Sequence, residues 1–424
     1  MAPLPSPNHL LNTSWTLHRL SPLHHGKEFQ TLLDNPAALK TYSERLRDLL
    51  AGDVLRGVQI GQNIAPSDDA LAKAGALRAC RWLTIPTWSY WNGSGSASAE
   101  QEDSSLQELE DPDQLFQQQQ QEEPIAAENA LGILVILDYE NVTYKAALLA
   151  GSDAYSEHDE DVGRKAKGKG KGKRGGQSTH LPLLMTRLPN SLRQTFISFL
   201  STNFDTYCSL LRLPSSFLCA TLEAYIAELI SLGDDLPSSS TTTSRTTLQD
   251  VMKEMQLTLS FSPSISPALR SMDVNLPRES LASFVVDASR SRSNSTTKKL
   301  VQDQDQDQDQ PSTPFLASLS SYLDKHLAMK LDLQDLARHG SQAHANEHVR
   351  LTKIACGAFV LGGEGRAKLI ASPGRRGTAS AGDSILEEDP ERRRYRLVLR
   401  ANESLLRTFV RRAVGGVAAG KQKM

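Results

Sequence analysis

The amino-acid sequence predicts an α+β protein with a mainly antiparallel sheet, helices packed on one face, and long disordered insertions. Short apolar or alternating runs predict many strands. Several of these runs follow one another as hairpins and do not alternate regularly with helices, which favours antiparallel pairing. The helical segments between them have apolar residues on one side only. We therefore expect each helix to bury one face against the sheet.

The composition indicates a soluble intracellular protein. The 424 residues carry 47 Lys and Arg against 49 Asp and Glu, and none of the 4 Cys belongs to a C-x-x-C pair. This cysteine usage excludes a disulfide scaffold and a cysteine-rich zinc module. The longest apolar run, residues 130–137, is too short to span a bilayer, and the N-terminus has no secretory signal pattern. We expect no membrane partner, no cofactor and no small-molecule substrate.

Several segments are too polar to pack. Each has too little apolar surface to offset an ordering cost of about 1–2 kcal/mol per residue, so we expect disorder there. These segments are residues 93–124, 151–180, 237–247, 289–311 and 371–390. They leave an N-terminal α+β region (1–92), core strands (125–150), a middle α+β region (181–288), a C-terminal α+β region (312–413) and a tail (414–424).

The N-terminal half alternates strands with amphipathic helices. Asn35 before Pro36 is a typical helix start, and Leu39, Tyr42 and Leu46 continue it as one apolar stripe. The predicted strands are residues 14–20, 53–60, 76–88, 131–137, 142–149, 183–187 and 207–213. Further helices are expected at 67–74, around Leu192 to Leu200, and around Leu218 to Leu229. The run 131–137 is apolar at every position, so both of its faces should be buried, and 142–149 is its expected hairpin partner.

The C-terminal third is also predicted to contain both strands and helices. We expect a strand at 256–261, a helix from Pro314, and a hairpin of 349–361 with 366–370 around the sequence GGEG. Residues 392–400 alternate arginines with Tyr395, Leu397 and Leu399, which predicts a strand. Asn402 would then cap a terminal helix.

Signatures of enzymes are mostly absent, including the P-loop, H-E-x-x-H and G-x-G-x-x-G patterns. Asp138 and Glu140 follow a buried strand, where α/β enzymes place catalytic carboxylates. The alternative is a solvated strand end or a hairpin turn, and no paired His or metal motif lies nearby. His344 and His348 have the i, i+4 spacing of helical metal ligands, with His339 nearby. A polar linker is the alternative there. These residues support a second hypothesis, a metal-dependent hydrolase or nuclease with an α+β core.

Charge patterning points to nucleic acid. Residues 164–174 hold seven basic residues in eleven, spaced by glycines, and the chain from Glu391 onward has ten Lys and Arg against two Glu. Such segments can follow a phosphate backbone or an acidic protein surface, or can simply be solvated. The candidate DNA-binding residues are Arg164, Lys165, Lys167, Lys169, Lys171, Lys173, Arg174, Arg392, Arg394, Arg396 and Arg400. Arg407, Arg411 and Arg412 follow on the expected terminal helix.

Three blocks of sequence resemble one known family. They are WTLHRLSPL at 15–23, GDVLRGVQ at 52–59, and IACGAFVL at 354–361 followed by Gly365 and Arg366. Together they resemble the fungal centromere protein L family of the inner kinetochore. The resemblance implies a strongly curved antiparallel sheet and a non-enzymatic subunit in the nucleus, at the centromere.

The same resemblance implies particular partners. Members pair with a centromere protein N-type subunit, join other inner-kinetochore subunits and help dock the kinetochore on centromeric DNA or nucleosomes. Pairing in the family uses sheet edges near the C-terminal half, which here would be the strands at 349–361 and 392–400. The candidate partner-binding residues are Ile354, Cys356, Ala358 and Val360.

Overall fold

The structure is a computed structural model of the chain. The described residues are 9–26, 28–29, 31–33, 35–55, 71, 73–86, 130–150, 178–234, 241–263, 268–281, 283–284, 314–327, 349–371 and 390–420. The predicted insertions 93–124 and 289–311, the basic segment 164–174, and His339, His344 and His348 lie outside them. The chain divides into two compact units, residues 1–211 with 406–424, and residues 212–405.

The first unit contains an antiparallel sheet with helices packed against it. Its strands are β1 (Ser14–Leu20), β2 (Leu23–His24), β3 (Leu77–Pro86), β4 (Ala130–Tyr139), β5 (Thr143–Leu149), β6 (Ser178–Thr179), β7 (Leu183–Arg187) and β8 (Cys208–Leu210), and its helices are α1 (Pro36–Leu55) and α2 (Asn190–Phe204). The sheet runs β1-β7-β5-β4-β3, β8 pairs with β1, and β2 pairs with β6. All pairings are antiparallel.

The core of the first unit lies between this sheet and the two helices. Leu39, Tyr42 and Leu46 of α1 and Phe196 and Leu200 of α2 belong to one buried cluster with strand residues. Along β4 every residue from Ile133 to Leu137 is buried, as its continuous apolar run predicts. Asn35 caps α1, because its Oδ1 accepts a hydrogen bond from the backbone N–H of Ala38 at 3.1 Å.

The second unit contains antiparallel sheet strands. The strands are β9 (Met255–Phe261), β10 (Ser271–Leu276), β11 (Val349–Ala355), β12 (Phe359–Gly362) and β13 (Arg366–Leu369), in the order β10-β9-β11-β12-β13. Its helices are α3 (Ser215–Asp234), α4 (Thr241–Met252), α5 (Pro314–Leu327) and α6 (Pro390–Gly420). Residues of α6 up to Leu405 belong to this unit, and those from Leu406 onward belong to the first.

Aromatic packing and one carboxylate hold the helices of the second unit. The rings of Tyr225 on α3 and Phe359 on β12 are 4.8 Å apart. The side chain of Glu223 accepts hydrogen bonds from the backbone N–H groups of Phe315 and Leu316 at 3.2 and 3.0 Å. These N–H groups open α5, where a carboxylate also interacts favourably with the helix dipole. The start of α5 is therefore fixed by a residue of another helix.

The predicted fold class, α+β with a large antiparallel sheet, is confirmed. The hairpin of β4 with β5 and the hairpin around residues 362–365 also form as predicted. The predicted single strand at 349–361 is instead two strands, β11 and β12, joined by a turn at 356–358. Residues 53–55, predicted to begin a strand, end α1, and residues 241–247, predicted to be disordered, begin α4.

The strand predicted at 392–400 is wrong. These residues lie in α6, so Asn402 is inside a helix and does not cap one. Arginines alternate with apolar residues over a few positions there, which imitates a strand. The buried side chains between 398 and 406 are Val398, Leu399, Ala401, Asn402, Glu403, Leu405 and Leu406. Over two turns these residues lie on one face of a helix. Burial of this face favours a helix over the predicted strand.

Candidate partner and nucleic-acid surfaces

Of the four predicted partner-binding residues, Ile354 lies on β11, Val360 lies on β12, and Cys356 and Ala358 lie in the turn between these strands. Ile354 and Ala358 are 0% and 1% exposed, and Cys356 is buried. The Cys356 thiol donates to the carbonyl of Phe359 at 3.5 Å, and burial raises the pKa of this thiol to about 11. Only Val360 is half-buried on the opposite face. A direct partner contact by these residues remains a prediction, and the burial of three of them does not support it.

The strands that carry Ile354 and Val360 have no free edge. β11 is hydrogen-bonded to β9 on one side and to β12 on the other, and β12 is hydrogen-bonded to β11 and β13. Among the described residues β10 pairs with β9 alone, so β10 is the outer strand on that side of the second unit's sheet. Unpaired backbone groups on an outer strand can receive another strand.

The hydrogen bonding of β10 shows which of its backbone groups face outward. The backbone N–H of Phe261 donates to the carbonyl of Arg270 at 2.9 Å, which makes 261 and 270 a hydrogen-bonded pair. Hydrogen-bonded and non-hydrogen-bonded pairs alternate in an antiparallel ladder. The N–H and C=O groups of Ser271, Asp273 and Asn275 therefore point away from β9. Val274 and Leu276, on the other face of the strand, are buried and anchor it.

One face of this sheet is polar and basic. Along β9, β10, β11, β12 and β13, buried apolar residues alternate with residues that face outward. Arg350, Lys353 and Arg366 are exposed and Lys368 is half-buried on this outward face. The pairing register places Lys353 opposite Thr258 and Gly362, and Arg366 opposite Gly362. We refer to this surface, defined by Arg350, Lys353, Arg366 and Lys368, as the open face.

The open face has one acidic side chain along its strands. Asp273 on β10 accepts a hydrogen bond from the hydroxyl of Thr258 at 2.6 Å. The other outward positions of these strands are the hydroxyl, amide or small residues Gln256, Ser260, Ser271, Asn275, Ala355, Val360 and Gly362. Four cations against one carboxylate give the open face a positive potential that attracts anionic polymers.

The arginines that were predicted to form a row on a strand lie on different faces of α6. Arg393, Arg396 and Arg400 follow the i, i+3, i+7 spacing of one helical face, and Arg396 and Arg400 are exposed. Arg394 instead lies 4.0 Å from Asp250, which also pairs with Arg278. These residues line an open cleft of about 770 Å³ that also contains Lys253, Glu254 and Glu279. The charges in this cleft are of both signs, so it has no preference for an anion. The side chain of Arg392 lies outside the described part of the chain.

A family model described as centromere protein L matches residues 9–414. This match spans both units and all of the predicted site residues. The chain belongs to the centromere protein L family. That family is a structural family of the kinetochore, so the protein has a kinetochore-associated role, is located at the centromere and kinetochore, and has partners within kinetochore complexes. A comparison with curated proteins finds no match.

The carboxylates considered for catalysis have structural contacts in this family member. Asp138 pairs with Arg81 at 2.6 Å and accepts from the Thr143 hydroxyl at 2.9 Å. Glu140 accepts from the backbone N–H of Ala76 at 3.3 Å. Among the residues that the structure describes, no group of three or more His, Cys, Asp or Glu side chains could hold a metal ion. The described helices also include none that is long and apolar enough to cross a membrane.

Sequence reasoning missed the open face of the centromere protein L fold. Its signal was present, because Arg350, Lys353, Arg366 and Lys368 each precede a residue that is buried in the structure. This alternation is the period-two pattern of a strand with one solvated face. The charge pattern identifies only segments in which basic residues are dense. These four cations are separated in the sequence and are brought together by strand pairing.

Proposed function

We propose that this protein is a non-enzymatic scaffold subunit of the inner kinetochore in the nucleus. In this proposal it pairs with a centromere protein N-type partner and helps anchor the kinetochore on centromeric chromatin. The observation that carries the proposal is the juxtaposition, in one sheet, of a basic open face with an outer strand, β10, whose outward edge has no ladder partner among the described residues. The outer strand can join a protein partner and the open face can contact DNA.

The outer strand β10 supports pairing by strand addition. Its outward N–H and C=O groups at Ser271, Asp273 and Asn275 can form a new antiparallel or parallel ladder with a partner strand. The strands at 349–361 are interior and cannot accept a further strand. The partner edge is therefore expected at β10. This strand is separated by β9 from β11, which carries Ile354.

The open face supports contact with duplex DNA. Neighbouring strands are about 4.8 Å apart, so Lys353 on β11 and Arg366 on β13 are separated by roughly 10 Å across the sheet. None of its outward positions is aromatic, which disfavours stacking of unpaired bases and favours contacts to backbone phosphates. Such contacts would be independent of DNA sequence. Arg396, Arg400 and the basic segment 164–174 are further candidates for the same role.

A matched pair of variants tests the partner edge. Asn275→Pro removes an N–H group that β9 does not use, so the sheet should remain intact while strand addition is blocked. Asn275→Ala keeps this N–H group and serves as the control. In a reconstituted pull-down with an N-type subunit, we expect the alanine variant to bind like the wild type and the proline variant to lose binding. Equal binding by both variants, with unchanged melting temperatures, would place the partner elsewhere.

A second pair of variants tests the open face. Lys353→Gln combined with Lys368→Gln removes two cations of this face. Arg212→Gln combined with Lys325→Gln removes two exposed cations elsewhere in the same unit. Titration of duplex DNA at several salt concentrations should show a salt slope that is smaller by about 1.8 for the first variant only. An unchanged slope in the first variant would remove the open face from the DNA contact.

A further inference from the structure

Three cations form a row across the sheet of the first unit. The pairing register places Arg81 of β3 opposite Ile136 of β4, Ile136 opposite Lys145 of β5, and Lys145 opposite Arg187 of β7. Residues opposite one another in a sheet project from the same face. With strands about 4.8 Å apart, the row extends over roughly 14 Å. We refer to Arg81, Lys145 and Arg187 as the cationic row.

A fourth basic group joins the cationic row from outside the sheet. The Nζ atom of Lys145 lies 3.4 Å from Nδ1 of His9. Burial lowers the pKa of His9, and the charges of Lys145 and Arg81 lower it further. Burial also lowers the pKa of Lys145, with a further contribution from Arg187 that Asp138 partly opposes. Like charges are therefore close enough to interact throughout this group.

The acidic side chains do not balance this group. Within the described part of the chain, the one carboxylate ion-paired with it is Asp138, which binds Arg81 at 2.6 Å and also accepts from Thr143. Lys145 and Arg187 have no carboxylate within 4 Å among the described residues. Arg81 and Arg187 are exposed and Lys145 and His9 are half-buried, so the row is open to a ligand. Converging cations repel one another unless an anion lies against them.

We propose that the cationic row is a phosphate-binding site of the first unit, and that its occupant is the backbone of duplex DNA. A duplex carries about one negative charge per 1.7 Å of helix axis over its two strands, so several phosphates lie within the roughly 14 Å length of the row. A single phosphorylated side chain would engage only Lys145 and Arg187, which are on adjacent strands. The identity of the occupant rests on the DNA contact proposed above, whereas the site rests on the first unit alone.

The site itself is tested with inorganic phosphate. In the full-length protein at constant ionic strength, phosphate should shift the NMR signals of the His9 imidazole in a saturable way and raise the pKa of His9. Lys145→Gln combined with Arg187→Gln should abolish both effects, while the exposed His326 provides an internal reference. A shift of His9 that does not saturate, or that persists in the variant, would overturn the phosphate site.

The occupant is tested with duplex DNA. The salt slope of binding should fall by about 1.8 in Lys145→Gln with Arg187→Gln, and should not change in Lys40→Gln with Arg47→Gln on α1 of the same unit. If only the open-face variant weakens binding, the proposed function stands and this inference is wrong. If only the row variant does so, the row stands and the open face is wrong. If the wild type binds no duplex, or if a phosphoserine peptide occupies the row in place of DNA, the proposed occupant is wrong.

Discussion

At the scale of single residues, burial of polar groups sets the pH response of the protein. His18 on β1 is 5% exposed, and burial lowers its pKa to about 4, with a smaller contribution from the charge of Arg193. The backbone groups of Thr16 and Leu184 oppose this shift. The imidazole is therefore neutral in the folded protein at neutral pH.

The lowered pKa of His18 predicts a loss of stability in acid. An unfolded chain binds a proton at His18 below the ordinary pKa of 6.5, whereas the folded protein binds it only near pH 4. The contribution of His18 to the free energy of unfolding should therefore be fully present above pH 6.5. It should fall by about 3 kcal/mol as the pH drops to 4. In His18→Gln this component is removed. The stability of the wild type relative to His18→Gln, taken from melting curves between pH 7 and pH 4, should fall toward acid, and a constant difference would show that His18 does not titrate as described.

At the scale of elements, the sequence predicts structure well where burial and local pattern agree. The continuous apolar run of β4 predicts burial on both faces, and its residues are buried. Asn35 followed by Pro36 predicts the start of α1, and Asn35 caps that helix. Prediction fails where a short segment fits two periods. Residues 392–400 match both a strand and a helix, and the choice depends on which residues the rest of the fold buries. The same reasoning explains why the start of α4 was predicted to be disordered. Its first residues are polar, and the helix is held by Leu248, Val251 and Met252, which are buried farther along it.

A proline substitution tests the helical assignment of α6. Arg400 is exposed in the middle of α6, where proline would remove a hydrogen bond and clash with the preceding turn, at a cost of about 3 kcal/mol. If residues 392–400 were a strand followed by a helix cap at Asn402, a proline at 400 would have no preceding helical turn to clash with and would cost less. We expect Arg400→Pro to lower the melting temperature by several degrees and Arg400→Ala to leave it unchanged. Equal melting temperatures would contradict the continuous helix.

At the scale of the whole molecule, the sequence located the region of the candidate site and not its surface. The block 354–361 lies in the sheet that carries the candidate site, but Ile354, Cys356 and Ala358 point into the core. The open face and the outer strand β10 depend on which strands lie side by side. That order is set in part by pairings between residues far apart in the chain, such as Ser260 with Arg350. Neither composition nor local periodicity contains this information.

The central claim is that β10 is the edge at which this kinetochore subunit receives its protein partner. Hydrogen exchange of the full-length protein, with and without an N-type subunit, tests it most directly. Among the residues that the structure describes, the outward amides of Ser271, Asp273 and Asn275 have no ladder partner, so they should exchange quickly, whereas the amides of β11 are already paired. We expect the partner to slow exchange in 271–276 and to leave 349–355 unchanged. Protection of another segment, with exchange in 271–276 unaltered, would contradict the account.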